Sequence, residues 1–299
     1  MASLSNENFF PFYFSFQEIL AVKEGLKPVA RTMVKKEQFE QVNSTYNIKN
    51  IVSSFNKLGI SVFIKNKNAD DIVINISKSK ELAKCAFELE QKNDFRKIGK
   101  LLGFPDCCID FFVENHKYLF EKKIPFPNQT FINTRGKPIF YTNNILNFES
   151  RLDTEGEGKL SKNFHFFSKL LSEYLYLVSH VPCSYNCRKT VKLGRGVLKI
   201  LKKNNPAYAN KIVTTIKKPL IFFDDFNWLF FEGRARNKQL EYTGVLPNRS
   251  LVSGQMFEKI KEGNKIEVFD DKMCVLRNGE IIHEINKENK YRGIIIDFQ

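Results

Sequence analysis

Apolar residues recur at helical spacing over residues 16–22 and 48–58, and Gly59 follows the second run, where a helix C-terminus favours glycine. Residues 1–60 therefore read mainly as helix. The period then changes. Ile60, Val62 and Ile64 alternate with their neighbours, Ile72, Ile74 and Ile76 do the same, and a polar run at 66–70 separates the two sets. Period-two alternation on either side of a polar turn predicts a small hairpin. Helical spacing returns over 80–91, over 95–102, which Gly103 ends, and over 106–120. In the last of these Ile109, Phe112, Val113, His116 and Phe120 form the apolar stripe.

Periodicity is lost over 122–160, which holds Pro125, Pro127, Gly136, Pro138, Gly156 and Gly158. A stretch of that length reads as a lid, a binding loop or a disordered segment. Residues 161–179 read as a helix that Pro182 closes, and 185–203 as another that ends at Asn204-Asn205-Pro206. Past Pro219 the pattern turns strand-like. Phe223-Asp224-Asp225 and Phe269-Asp270-Asp271 each sit between apolar runs, predicting two hairpins of a β-meander, and 281–285 and 293–297 add strands. The predicted fold class is α+β: a mainly helical domain over 1–215 with a small hairpin, then a β-rich module over 216–299.

Composition places this pattern in an ordinary globular chain. Of 299 residues, 42% are hydrophobic and 27% charged, enough to bury a core without disulfide staples. The first residues lack a basic run followed by an apolar one, and no stretch of about 20 apolar residues occurs, so neither a signal peptide nor a membrane span is expected. The expected compartment is the cytoplasm. There, six cysteines serve as ligands, reactive thiols or core fillers before they serve as disulfides.

Four of the six stand in two pairs. Gly103-Phe-Pro-Asp-Cys-Cys108 puts Cys107 and Cys108 in the first turn of a helix that Asp106 is placed to cap. His180-Val-Pro-Cys-Ser-Tyr-Asn-Cys187 puts Cys183 just before a helix that Ser184 is placed to cap, and Cys187 in its first turn. Helix starts favour thiolate, through free N–H groups and the helix dipole. If the two starts converge, Cys107, Cys108, Cys183 and Cys187 make a seat for an iron–sulfur cluster or zinc. Cys85 and Cys274 lie inside an amphipathic helix and a strand and read as core fillers. His180 is a candidate ligand, a base for a thiol, or a histidine at a helix end. His116, His165 and His283 read as structural or surface residues.

On the second helix Cys187, Val191, Gly194, Leu198 and Leu201 share one face, and Arg188, Lys192, Arg195, Lys199 and Lys202 the neighbouring one. From 184 to 220 there are ten Lys or Arg residues and no Asp or Glu, within a chain of net charge +14. Such a face can hold phosphates of RNA, of a nucleotide or of a carrier-bound substrate, or it can simply be solvated. Asn143, Asn144 and Asn147 can hydrogen-bond a substrate or form Asx turns. No Walker loop, dinucleotide glycine fingerprint or RNA-binding signature is present.

Leu101-Leu-Gly-Phe-Pro-Asp-Cys-Cys108, Asn143-Asn-Ile-Leu-Asn147 and His180-Val-Pro-Cys-Ser-Tyr-Asn-Cys187, in that order, resemble a prokaryotic family built on a domain of unknown function. The likeness spans roughly residues 15–245. It implies that the cysteines are a defining site and carries no activity with it. The vicinal pair followed by a close pair is also similar to the Cys-Cys…Cys-x2-Cys ligand sets of some redox subunits, with different spacings.

The leading expectation is a metal- or iron–sulfur-binding enzyme doing redox or sulfur-transfer chemistry in biosynthesis. Arg188, Lys192, Arg195, Asn144 and Asn147 then hold an anionic or carrier-bound substrate under a loop at 122–160. One alternative is a metal-free enzyme in which Cys108 or Cys183 is the catalytic nucleophile or persulfide carrier, His180 its base and another thiol the resolver. Another is a zinc-organised protein whose basic helix binds nucleic acid.

Overall fold

A computed structural model describes residues 14–122, 124–145, 175–224, 227–246, 254–288, 290 and 292–299. The fold is α+β. The chain divides into two compact units, residues 1–114 with 192–210, and residues 115–191 with 211–299.

The first unit opens with α1 (Phe16–Lys23), whose N-cap Ser15 accepts from the Glu18 N–H, then β1 (Val29–Lys35), α2 (Lys36–Tyr46) and α3 (Ile48–Lys57). The expected hairpin follows as β2 (Ser61–Asn66) and β3 (Asp71–Ser77). It belongs to a larger sheet, because β1 pairs antiparallel with β3 from Val29↔Ser77 to Lys35↔Asp71, giving the order β1-β3-β2. The described residues up to 60 are mainly helix, as expected, but the reading did not include this strand. Its polar Arg31 and Thr32 hide the alternation, and its partner lies some 40 residues on in the chain.

As the central strand, β3 is covered on both faces. Ile72, Ile74 and Ile76 join Ile19, Val22, Ile51 and Phe55 in one apolar cluster. On the other face, α4 (Lys80–Gln91) lays down Ala83 and Ala86, and the buried Asn75 Nδ2 donates to the Ala83 carbonyl. Next come α5 (Phe95–Leu101) and α6 (Asp106–Glu121). The stripe expected on α6 is shifted. Cys108, Ile109, Phe111 and Leu119 are buried, while Phe120 is 85% exposed.

In the second unit, α7 (Phe126–Ile132) and a 3-10 turn (Phe140–Thr142) occupy part of the stretch expected to be a long loop. Pro127 sits in the first turn of α7, where its missing N–H costs no helical bond. The rest of that expected loop, residues 146–160, and most of the helix expected over 161–179 lie outside the described residues. Residues 175–179 are described and are not helical.

The chain returns to the first unit for most of α8 (Arg188–Asn204), which runs into α9 (Pro206–Ile216), where Asn205 Oδ1 accepts from the Tyr208 N–H. The strands β4 (Leu220–Asp224), β5 (Asn227–Arg236), β6 (Gln239–Leu246), β7 (Lys265–Val268), β8 (Lys272–Arg277) and β9 (Glu280–Asn286) form an antiparallel meander. It is interrupted by α10 (Gly254–Glu262) and completed by β10 (Ile294–Ile296), which returns to pair with β4. Asn278 and Gly279, both at positive φ, form the two-residue turn between β8 and β9, the geometry that matches strand twist. Ile221, Leu229, Phe231, Leu240, Ile266 and Val275 fill the core over this sheet.

Candidate metal centre

The first pair of cysteines rests on a tightly built corner between α5 and α6. Gly103 ends α5 with φ +72, and the Phe104 N–H donates to the Gly99 carbonyl, the six-to-one bond of a Schellman closure. A Cβ on Gly103 would lie 3.2 Å from Lys27 Cγ, so the position is restricted by space as well as by backbone angle. Lys27 is buried, donates to both carboxylate oxygens of Glu18 at 2.6 and 2.8 Å, and stands 5.3 Å above the Phe104 ring. Gly99 admits the Ile109 side chain, Arg96 pairs with Asp110, and Phe95 meets Phe112 edge-on.

Pro105, not Asp106, occupies the cap position of α6. Its carbonyl accepts from the N–H groups of Cys108 and Ile109. Asp106 is the first helical residue, where its negative charge suits the positive end of the dipole. Cys107 and Cys108 are therefore in the first turn, as the sequence predicts. Cys108 is 2% exposed, Cys107 is half-buried, and their sulfurs are 4.0 Å apart.

The second pair stands on a loop held from outside. The helix expected to begin at Tyr185 begins at Arg188 instead. Residues 184–187 close a turn in which the Cys187 N–H donates to the Ser184 carbonyl at 3.1 Å, while the Cys187 carbonyl accepts from Val191 at 2.9 Å. Cys187 thus takes the cap position itself, and Ser184 turns its hydroxyl to Asn186 Oδ1.

Residues 126–142 hold this loop through a run of hydrogen bonds. Thr130 Oγ1 donates to the Pro182 carbonyl at 2.9 Å, and Asn133 Nδ2 donates to the Cys183 carbonyl at 3.3 Å. Thr134 Oγ1 accepts from the Tyr185 N–H, and the Tyr185 carbonyl accepts from the Ile139 N–H and from Thr142 Oγ1, each at 2.8 Å. The Tyr185 ring is fully buried edge-on against Phe298, next to the chain end that exchanges backbone bonds with residues 138–140. Among the described residues, these threonines and Asn133 are what sequence reading missed. Their partners lie about 50 residues away, and no local pattern announces them.

Cys107, Cys108, Cys183 and Cys187 bring their sulfurs together: all four lie within 4.8 Å of one another, within reach of a single metal ion. Cys187 is 8% exposed and Cys183 half-buried. His180 is not part of this set. It is 4% exposed on a non-helical segment, so the expected place at a helix end is corrected, and its Nε2 lies 2.9 Å from Thr190 Oγ1. Asn144 is buried and donates to the His180 carbonyl, and Asn143 binds the Ile216 carbonyl and its own chain at Ile145. Asn147 and His165 lie outside the described residues.

Of the remaining thiols, Cys85 is half-buried on α4 and Cys274 is 1% exposed in β8. Burial pushes the Cys274 thiol above its ordinary pKa against the pull of Lys272, which keeps it protonated. On α8 the two predicted faces are both present. Cys187, Val191, Gly194, Leu198 and Leu201 are buried, and Arg188, Lys192, Arg195, Lys199 and Lys202 are exposed. Among the described residues, no helix is long and apolar enough to cross a membrane. Set against family models, curated proteins and solved structures, the chain finds no match.

Proposed function

We propose that this is a metal-binding protein whose four cysteine thiolates enclose one tetrahedrally coordinated ion, zinc or a single iron. The observation that carries the proposal is the mutual approach of the four sulfurs to within 4.8 Å. Metal–sulfur bonds of about 2.3 Å arranged tetrahedrally separate the sulfurs by about 3.8 Å. The 4.0 Å between Cys107 and Cys108 is close to that edge. An iron–sulfur cluster must fit several irons and bridging sulfides inside its thiolates, which spreads them further. The compact set therefore favours one ion over the cluster that the cysteine count alone also allows.

Chemistry follows from saturation. Four protein thiolates leave no open position for substrate or water, so zinc here organises structure and does not act as a Lewis acid. It would fix the start of α8 to the corner that carries Cys107 and Cys108. A single iron in the same cage would add one-electron transfer. The metal-free thiol enzyme has less support, because the four thiols gather in one compact set that a single ion fits, and His180 is not in that set.

Anaerobic purification followed by elemental analysis and a visible spectrum tests this reading. About one zinc per chain in colourless protein, or about one iron with sulfur-to-iron absorption, supports it. Four irons with acid-labile sulfide, or metal-free protein from metal-replete cells, overturns it.

A further inference from the structure

We infer that the outer face of α8 is a docking surface for the phosphate backbone of a nucleic-acid duplex, an inference that stands apart from the metal centre. Arg188, Lys192, Arg195, Lys199 and Lys202 are all exposed. Their spacing of four, three, four and three residues keeps them within an arc of about 80° and along about 21 Å of helix axis. The buried side chains of the same helix, from Cys187 to Leu201, lie on a separate arc, so the basic face is turned outward along its whole length. Residues 184–220 contain ten cations and no carboxylate, and so account for +10 of the net +14 of the chain. A row of like charges attracts a polyanion, and each phosphate it neutralises releases condensed counterions from the nucleic acid.

The form of the polyanion follows from what the face lacks. Residues 188–204 include no Phe, Tyr or Trp. Proteins that hold single strands stack bases on aromatic side chains, and this face has none to offer. The face is made of Arg and Lys alone, and the opposite side of α8 is buried. The face fits duplex phosphates, contacted without regard to sequence.

The test uses the full-length, metal-replete protein and fluorescence anisotropy. The probes are a labelled 20-base-pair DNA duplex, the RNA duplex of the same sequence, a single strand of each and poly-glutamate. Five phosphate contacts give a log–log salt slope of about −4.5, a fall in affinity of about 500-fold between 50 and 200 mM salt. The triple variant Lys192→Gln, Arg195→Gln, Lys199→Gln is expected to lower that slope to about −2. The control triple Lys57→Gln, Lys80→Gln, Lys92→Gln, which changes three exposed lysines elsewhere, is expected to keep the steeper slope. Glutamine keeps the helix, and circular dichroism with metal content verifies folding for both variants. Binding of either duplex with these slopes supports the inference. Preference for a single strand, equal binding of poly-glutamate, or an equal loss in both triples overturns it.

Discussion

Replacing Thr130 with valine removes one hydroxyl from the framework around the second cysteine pair and leaves the shape nearly unchanged. Thr130 is fully buried, and its Oγ1 donates at 2.9 Å to the carbonyl of the buried Pro182, one residue before Cys183. Valine fills the same volume, so no cavity opens and no packing term enters. What remains is a buried carbonyl that has lost this donor, at a cost of about 1–3 kcal/mol. A loss of about 2 kcal/mol corresponds to roughly a thirtyfold change in the opening equilibrium of the loop. Two measurements then separate local from global effects. Urea denaturation reports the whole fold, and the rate of metal transfer to a competing chelator reports the loop. The expected result is metal release about ten to thirty times faster, with a stability loss of up to about 2 kcal/mol. A variant that releases metal within twofold of the parent rate, with unchanged stability, would refute the idea that residues 126–142 hold this loop in place.

Other perturbations reach different parts of the same framework. Gly103→Ala places a side chain at φ +72 and 3.2 Å from Lys27 Cγ, and thermal unfolding is expected to show a loss of at least about 1 kcal/mol. Lys27→Met strands the Glu18 carboxylate in the interior and is expected to cost about 3–5 kcal/mol, with part recovered when Glu18→Gln is added. No recovery in the double variant would remove the ion pair from the account. Burial opposes the charge of Glu90, but hydrogen bonds and charge from Arg31 and Lys67 overcome it and hold the carboxyl below its ordinary value of 4.5. A depressed folded pKa gives stability that is present above 4.5 and is lost as pH falls through the lower folded value. The stability difference between the parent and Glu90→Gln is therefore expected to be full at pH 7 and to shrink below pH 4.5; a constant difference down to pH 2.5 would contradict it.

What could be read from the chain was what local chemistry decides. The helix over residues 80–91 matches α4, because Ser79 supplies the cap and accepts from the Leu82 N–H. The two faces of α8 followed from a 3.6-residue period, since its apolar and basic positions keep strictly to separate arcs. The turn at Asp270-Asp271 followed from polar residues between two apolar runs. The missed features depend on distant partners. β1 is a strand only because β3 accepts it, and its own residues alternate poorly. The stripe of α6 moved toward Cys108, Phe111 and Leu119, leaving Phe120 in solvent, because packing by other elements, not the apolar count of the helix, decides which side is covered. Asn143 and Asn144 could be read as groups for a substrate or as Asx turns; Asn143 Oδ1 accepts from the Ile145 N–H as an Asx turn does, and both side chains donate to buried carbonyls at Ile216 and His180. The pairing of the two cysteine motifs was legible as a possibility, since both stand at helix starts. Their mutual distance was not, because it depends on a loop held by Thr130, Asn133 and Thr134.

X-ray absorption at the metal edge tests the central claim most directly, since it counts neighbours and measures their distances. One shell of four sulfurs at about 2.3 Å, with no second metal nearby, is the predicted result for zinc, and a single iron gives the same shell count. Changing any one of Cys107, Cys108, Cys183 or Cys187 to serine should reduce the sulfur count by one or empty the site. A metal–metal vector in the spectrum, or a shell dominated by nitrogen and oxygen, would contradict the account.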